Sequence, residues 1–282
     1  MLDWGKRTYI MGILNVTPDS FSDGGEFNRL DLAVKRAEQM IASGADIIDI
    51  GGQSTRPGAE EISQTEEFQR VVPVVEEIRR RGGLGRDFNP CQNILISVDT
   101  TRASIAEAAI KAGANWVNDI SGATFDPEML STVARLGVPV VFMHIRGTPQ
   151  TMQQLTDYDD LIGEIQTFFQ TRIEAATQVG ISRDQIILDP GIGFAKTYQQ
   201  NLQILRELKR FRQLGCPILV GPSRKSFIGH ILQQPEPKQR VWGTSAALTA
   251  AVAGGADIVR VHDVAEMWQV GRVADAIFRG MS

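Results

Sequence analysis

The chain has 282 residues, 43% of them in the AVILMFWYC set and 22% charged, with a formal net charge of −4. That composition supports a large core, excludes wholesale disorder and argues against broad nucleic-acid binding, while leaving room for a local basic pocket. Met1–Arg7 lacks the apolar stretch of a signal peptide, no uncharged run reaches the ~18 residues of a bilayer span, and Cys91 and Cys216 lie far apart without CxxC spacing; a cytoplasmic protein without membrane contact is expected.

Short apolar, β-branched runs recur at Tyr9–Leu14, Ile47–Ile50, Ile94–Val98, Trp116–Asn118, Val138–Met143, Ile186–Leu188, Ile218–Val220 and Ile258–Val261. They lack strict polar alternation, as parallel strands buried on both faces do. Helical spacing lies between them: Leu30, Ala33, Ala37 and Met40, then Phe68, Val72, Val75 and Ile78 ahead of a basic turn and Gly82-Gly83. Leu161, Ile165, Phe168 and Phe169 open a longer helix, Leu202, Leu205 and Leu208 another. Trp268, Val273, Ile277 and Phe278 mark a closing helix. Gly44, Gly113 and Gly254-Gly255 sit in three similar turns from a helix into a strand. Arg81–Asn93 precedes a strand and so is expected on the face away from chemistry, and Gln233–Lys238 reads as an exposed loop. Eight strands alternating with eight helices predict an α/β protein, a single (β/α)8 TIM barrel forming one domain over 1–282. An open doubly wound sheet would concentrate its polar residues at one switch point and would carry a Gly-x-Gly-x-x-Gly fingerprint, which no strand here has.

In a closed barrel the C-terminal strand ends converge on one pocket. Those positions hold Asn15, Thr55 with Arg56, Asp99, Asn118 with Asp119, Met143 with His144, Asp189, Lys225, and Arg260 with His262. Three histidines in all, at 144, 230 and 262, make a multi-His zinc site a poor fit. Carboxylates beside Asn and Lys suit a flat heterocycle with N–H donors and carbonyl acceptors. Arg260-Val261-His262 puts two donors on one side of a strand, a spacing that fits a phosphate or diphosphate. Asn15 and Asp23 are oxygen donors suited to Mg²⁺.

These segments together resemble the dihydropteroate synthase family of folate biosynthesis, from Met11 to about Asp263. The resemblance is carried by Gly12–Gly25, Gly51–Gly58, Val98-Asp99-Thr100, Val117–Gly122, Met143-His144 with Thr151-Met152-Gln153, Asp189–Phe194, Ser223–Gly229 and Arg260-Val261-His262. It implies condensation of a dihydropterin bearing a methylene diphosphate with p-aminobenzoate, releasing diphosphate. It implies a pterin pocket of Asp99, Asn118, Asp189 and Lys225 with Ile120, Met143 and Phe194 as apolar walls. Diphosphate would meet Thr55, Arg56, Arg260 and His262, with Mg²⁺ near Asn15 and Asp23. The p-aminobenzoate would lie near Phe21, Pro57, Lys225 and Ser226. Asp99, Lys225, Arg56 and Asp23 form the expected catalytic set, the loops around Phe21–Gly25 and Ser54–Gly58 are expected to order over bound diphosphate, and a homodimer is expected. Gln53 and Arg102 stand where many members carry Glu and Lys, and neither is assigned to chemistry.

Three other functions compete: a corrinoid-linked methyltransferase acting on methyltetrahydrofolate, a non-catalytic pterin-binding homologue, and a Schiff-base aldolase using Lys225. The first needs no diphosphate site, so Ser54–Gly58 and Ser223–Phe227 weigh against it. The second would be expected to lose Asn15, Arg56 or Lys225, and all three are present.

Overall fold

The computed structural model describes residues 2–17, 26–55, 58–82 and 94–280. In chain order the elements are β1 (Tyr9–Asn15), α1 (Glu26–Ala42), β2 (Ile47–Gly51), α2 (Gln64–Gly82), β3 (Leu95–Asp99), α3 (Ala103–Lys111), β4 (Trp116–Asp119) and α4 (Met129–Leu136). They continue with β5 (Val140–Met143), α5 (Leu161–Gln178), β6 (Ile186–Asp189), α6 (Tyr198–Glu207), β7 (Leu219–Val220), α7 (Ser226–Leu232), α8 (Val241–Ala253), β8 (Ile258–Val261) and α9 (Val264–Phe278).

All strand pairs are parallel, in the order β6-β5-β4-β3-β2-β1-β8-β7. A parallel bridge between Leu188 and Ile218 brings β6 to β7, so the sheet is a nearly closed (β/α)8 barrel. Helices pack their apolar faces outside it, and one core runs between strands and helices. A second fills the barrel's lower interior: Tyr9, Met11, Ile47, Trp116, Val141, Ile187, Leu219 and Ile258. Trp4 closes the floor, its ring 5.7 Å from Tyr9 and 6.2 Å from Trp116. With the N-terminal end plugged, substrates can enter only at the opposite rim.

Nine α-helices, not eight, occur among the described residues. The segment after β7 holds two of them. Gln233 takes a left-handed backbone (φ 51°) at the end of α7, and Pro235 and Pro237 prevent the helix from continuing into α8. Two apolar stripes also face differently from expectation. Phe68 is 44% exposed and its neighbour Glu67 is buried, because Glu67 accepts from Thr100 Oγ1 and Arg102 Nη1, both at 2.6 Å. On α9 the buried face is Val264, Met267, Gly271, Ala274 and Asp275, whereas Val273 and Ile277 are 62% and 65% exposed. Small residues fit that helix close against β1, and Asp275 is drawn inward by the Thr8 amide and hydroxyl, each 2.7 Å away. Residues 83–93, most of the expected Arg81–Asn93 excursion, lie outside the described residues, while Arg81 and Gly82 end α2.

Candidate active site

Strand register sets the site. Asn15 lies beside Gly51, Gly51 beside Asp99 and Asp99 beside Asn118, so one row crosses four strand ends. Met143 lies beside Asp189 in a second row. Below the first row stands Asp49, a fully buried carboxylate inside the apolar β2. Its Oδ2 accepts from Arg260 Nε at 2.6 Å and from Asn118 Nδ2 at 2.9 Å, while Oδ1 has no hydrogen-bond partner. Arg260 Nη2 donates to Asp99 Oδ2 at 2.7 Å. Arg260 therefore spans two carboxylates instead of standing clear for an anion. Two of its five N–H donors are used in this way, which leaves others for a further acceptor.

Burial pushes the Asp99 carboxyl up to about 7 even though Arg260 pulls it down, with Asp49 adding repulsion. Burial likewise raises Asp189 to about 6, against the Gly191 amide, Lys225 and Arg260. Lys225 is lowered to about 8, by burial first and then by Arg260, with Asp189 and Asp99 opposing. Asp99, Asp189, Lys225 and Arg260 thus share one field at one rim.

Asp189 heads a tight turn in which its Oδ1 accepts from the Gly191 amide at 2.7 Å. The turn needs its glycines. A Cβ on Gly191 (φ 73°) would lie 2.0 Å from the His144 carbonyl, and one on Gly193 (φ 85°) would meet the Lys225 stem at 2.8 Å. Lys225 instead reaches over the Phe194 ring, its Nζ 4.2 Å from the centroid. Phe194 belongs to an apolar cluster with Ile120, Met143, Ile145, Met152 and Ala195, so the three expected wall residues lie together.

The Ser223–Lys225 turn is held from outside. Arg224 has a left-handed backbone (φ 59°), its side chain donates from Nε to Asp263 at 2.9 Å, and its carbonyl accepts from Arg240 at 2.9 Å. Bonds on this scale can hold a strained residue and so aim Lys225. His262 lies just past β8 with Nδ1 3.0 Å from Ser223 Oγ, and burial holds its pKa down at about 3. Arg260 and His262 therefore have different partners. Ser226, exposed at the start of α7, opens onto an outer groove of about 610 Å³ with Tyr198, His230 and Arg240. Asp119 turns away from the pocket: it accepts from Ser121 N, Ser121 Oγ and Ala123 N and holds its own loop. His144 packs edge-on against Phe168 beside Lys196, with burial keeping it neutral.

Thr55, Asp99 and Ile120 line a cavity of about 120 Å³ together with Thr100, Phe125 and Gln150. Gln53 organises its rim, donating to the Ser54 and Glu60 carbonyls and accepting from Ile62 N, each at 2.9 Å. Arg102 donates to the Ile62 carbonyl at 2.6 Å. These two residues, set aside on sequence, support the loop. Phe21, Asp23, Arg56 and Pro57 lie outside the described residues. Asp49 and Lys196 are buried partners of the site that sequence reasoning did not select. A carboxylate inside Ile47-Ile48-Asp49-Ile50 is itself a buried-polar signal, whereas nothing local marks Lys196.

The sequence matches the pterin binding enzyme family over residues 11–262. It is 59% identical to the dihydropteroate synthase of Synechocystis sp. over 279 residues, covering 99% of this chain and 93% of that protein. A Clostridium difficile dihydropteroate synthase structure determined in the presence of pteroic acid superposes with a TM-score of 0.90 at 46% identity, over 99% of this chain and 100% of the other. The Xanthomonas albilineans dihydropteroate synthase with 4-aminobenzoic acid gives 0.89 at 40% identity, over 99% and 95%. On the barrel, the rim and these likenesses, the chain belongs to the pterin binding enzymes and, among them, to the dihydropteroate synthases, transferases of folate biosynthesis.

Proposed function

We propose that the rim divides its labour between a flat ring and a polyanion. Asp99, Asn118, Asp189 and Lys225 hold the pterin edge between Ile120, Met143 and Phe194. Thr55, His262 and the spare donors of Arg260 take the diphosphate, joined by Arg56. The p-aminobenzoate carboxylate points out towards Ser226 and its groove, with Phe21 and Pro57 expected nearby on the resemblance alone. What carries this reading is the pairing of raised-pKa carboxylates, Asp99 and Asp189, with the cations Arg260 and Lys225 at one rim.

Asn15 at the end of β1 offers one neutral oxygen, and among the described residues no three His, Cys, Asp or Glu side chains cluster as metal ligands. That donor set fits Mg²⁺ shared with substrate phosphate oxygens and water, not an all-protein cage. Asn15 would hold it with Asp23, and it would supply charge neutralisation on the leaving diphosphate. The methylene C–O bond breaks with its electron pair leaving on diphosphate, and the arylamine nitrogen then bonds the methylene and loses a proton. Asp99 and Asp189 favour the cationic ring in that interval. The arylamine is neutral at pH 7, so no strong base is required of the chain.

Two further points belong to the proposal. The α8 helix has no charged residue, and its outward side includes Trp242, 81% exposed, while the neighbouring α9 exposes Val273 and Ile277. A helix apolar all round is normally covered, and a second copy of this chain would cover it. No described helix is long and apolar enough to cross a membrane, and Cys216 is a buried free thiol; a cytoplasmic location accords with both.

Mixing the chain with pterin diphosphate, p-aminobenzoate and Mg²⁺ should release diphosphate, and Lys225→Met should raise the KM for the pterin substrate above all. A Lys225→Met enzyme with an unchanged pterin KM would remove Lys225 from the pocket. For the second copy, Val273→Arg should halve the mass seen by sedimentation; an unaltered mass would place the interface elsewhere.

A further inference from the structure

Lys196 is 3% exposed, and the mechanism above does not use it. Its Nζ lies 2.8 Å from the Phe194 carbonyl, 3.1 Å from His144 Nδ1 and 3.4 Å from the His144 carbonyl. Among the described residues no carboxylate makes an ion pair with it. An ammonium so buried is costly unless its hydrogen bonds do structural work. Here they join two segments that lie on either side of the pocket's back wall: the end of β5 through His144, and the turn after β6 through Phe194.

The same spot is where the turn packs most tightly. The Gly191 backbone sits directly on the His144 carbonyl, and a Cβ there would also come within 3.2 Å of Lys196 Nζ. The His144 amide donates to the Asp189 carbonyl at 2.9 Å, so β5 and the turn are already stitched on one side. Ala195 has a left-handed backbone (φ 50°), its carbonyl accepts from Tyr158 Oη at 3.0 Å, and Thr197 caps α6 through a reciprocal pair with Gln200. Lys196 is therefore fixed at its own backbone and can act as a clamp. Burial draws its pKa down to about 7, with Asp189 opposing and Lys225 and Arg146 adding to the fall. His144 stays neutral and can accept at Nδ1.

We propose that Lys196 is a positioning residue for the pterin pocket: it clamps the Phe194 carbonyl to the end of β5 and thereby holds the Phe194 ring beneath Lys225 and the turn that presents Asp189. This rests on the pterin reading of the rim. Lys196→Met removes the donors with little change of volume. The expected result is a rise of about ten-fold, the worth of roughly one charged hydrogen bond, in both the Kd for pteroic acid and the KM for pterin diphosphate. The KM for p-aminobenzoate stays within about two-fold, and the melting temperature falls, since the Phe194 carbonyl and His144 Nδ1 lose their buried donor; the split between the two KM values is what separates positioning from stability. His144→Asn, which keeps the lysine and removes the ring acceptor, should move the pterin constants in the same direction by less, and it decides the matter alone if Lys196→Met does not fold. Unchanged pteroic acid binding, or equal rises in both KM values, overturns the clamp. Asp189→Asn serves as the control. If it weakens pteroic acid binding while Lys196→Met leaves it intact, the clamp fails and the pocket stands; if Asp189→Asn also binds normally, the pocket assignment itself is wrong.

Discussion

At the N-terminal end of the strands, Asp46 takes Arg7 through two parallel bonds of 2.7 and 3.0 Å and the Ile10 amide at 2.8 Å. Asp275 takes both donors of Thr8 at 2.7 Å, with the Arg279 guanidinium 2.9 Å away. At the C-terminal end, Asp49 leaves one oxygen without a partner, and Asp99 and Asp189 are buried with their carboxyls pushed up to about 7 and about 6. The barrel thus has carboxylates that serve the fold at one mouth, Asp46 ahead of β2 and Asp275 on α9, and carboxylates on its strands that cost it stability at the other. Groups held in an unfavourable protonation balance within a pocket are where a protein keeps its capacity to bind.

The largest effect expected from breaking this contrast is at the floor. Asp275→Ala strands the Thr8 amide and hydroxyl in the interior and should destabilise the chain by about 3 kcal/mol or more. Thermal unfolding should show it, with both KM values unchanged in the folded fraction; a shift in the pterin KM would mean that the two ends are coupled. Next comes pH. If pterin N–H groups need ionised Asp99 and Asp189, kcat/KM for the pterin substrate should fall as pH drops through about 7 to about 6. It should fall again above about 8 as Lys225 loses its proton. Asp49→Asn removes a repelling neighbour of Asp99, so the acid limb should move to lower pH; an acid limb that stays put would mean that Asp99 does not set it. The smallest effect is at the outer groove. Ser226→Ala should raise the p-aminobenzoate KM about five-fold, the worth of one neutral hydrogen bond, and leave the pterin KM alone.

Much of the barrel was legible because parallel strands buried on both faces announce themselves as apolar runs, and all eight appear within a few residues of the expected bounds. The faces of α2 and α9 were less legible. Phe68 and Ile277 look like core from spacing, but Glu67 and Asp275 take the inward places because their partners, Arg102 and Thr8, arrive from distant segments. The rim shows the same division. Asp99, Asn118 and Asp189 could be picked out because each ends an apolar run. Arg260 was read as free for an anion, since nothing near it in sequence reveals that Asp49, 211 positions away, holds its Nε. Lys196 follows a recognisable turn, yet its role depends on His144, which arrives from the end of β5.

Asp189 is kept ionisable for the ligand at the fold's expense, and Asp189→Asn separates those two effects. With the folded pKa raised to about 6 from the ordinary aspartate value of 3.8, the native state holds the extra proton between those values. Stability therefore falls as pH rises through that window, and the cost persists at pH 8. Calorimetry with pteroic acid and thermal unfolding, both at pH 8, should show affinity weakened by about 1.5–3 kcal/mol together with a higher melting temperature. Unchanged affinity, or a lower melting temperature with binding intact, would mean that Asp189 serves the fold and not the ligand.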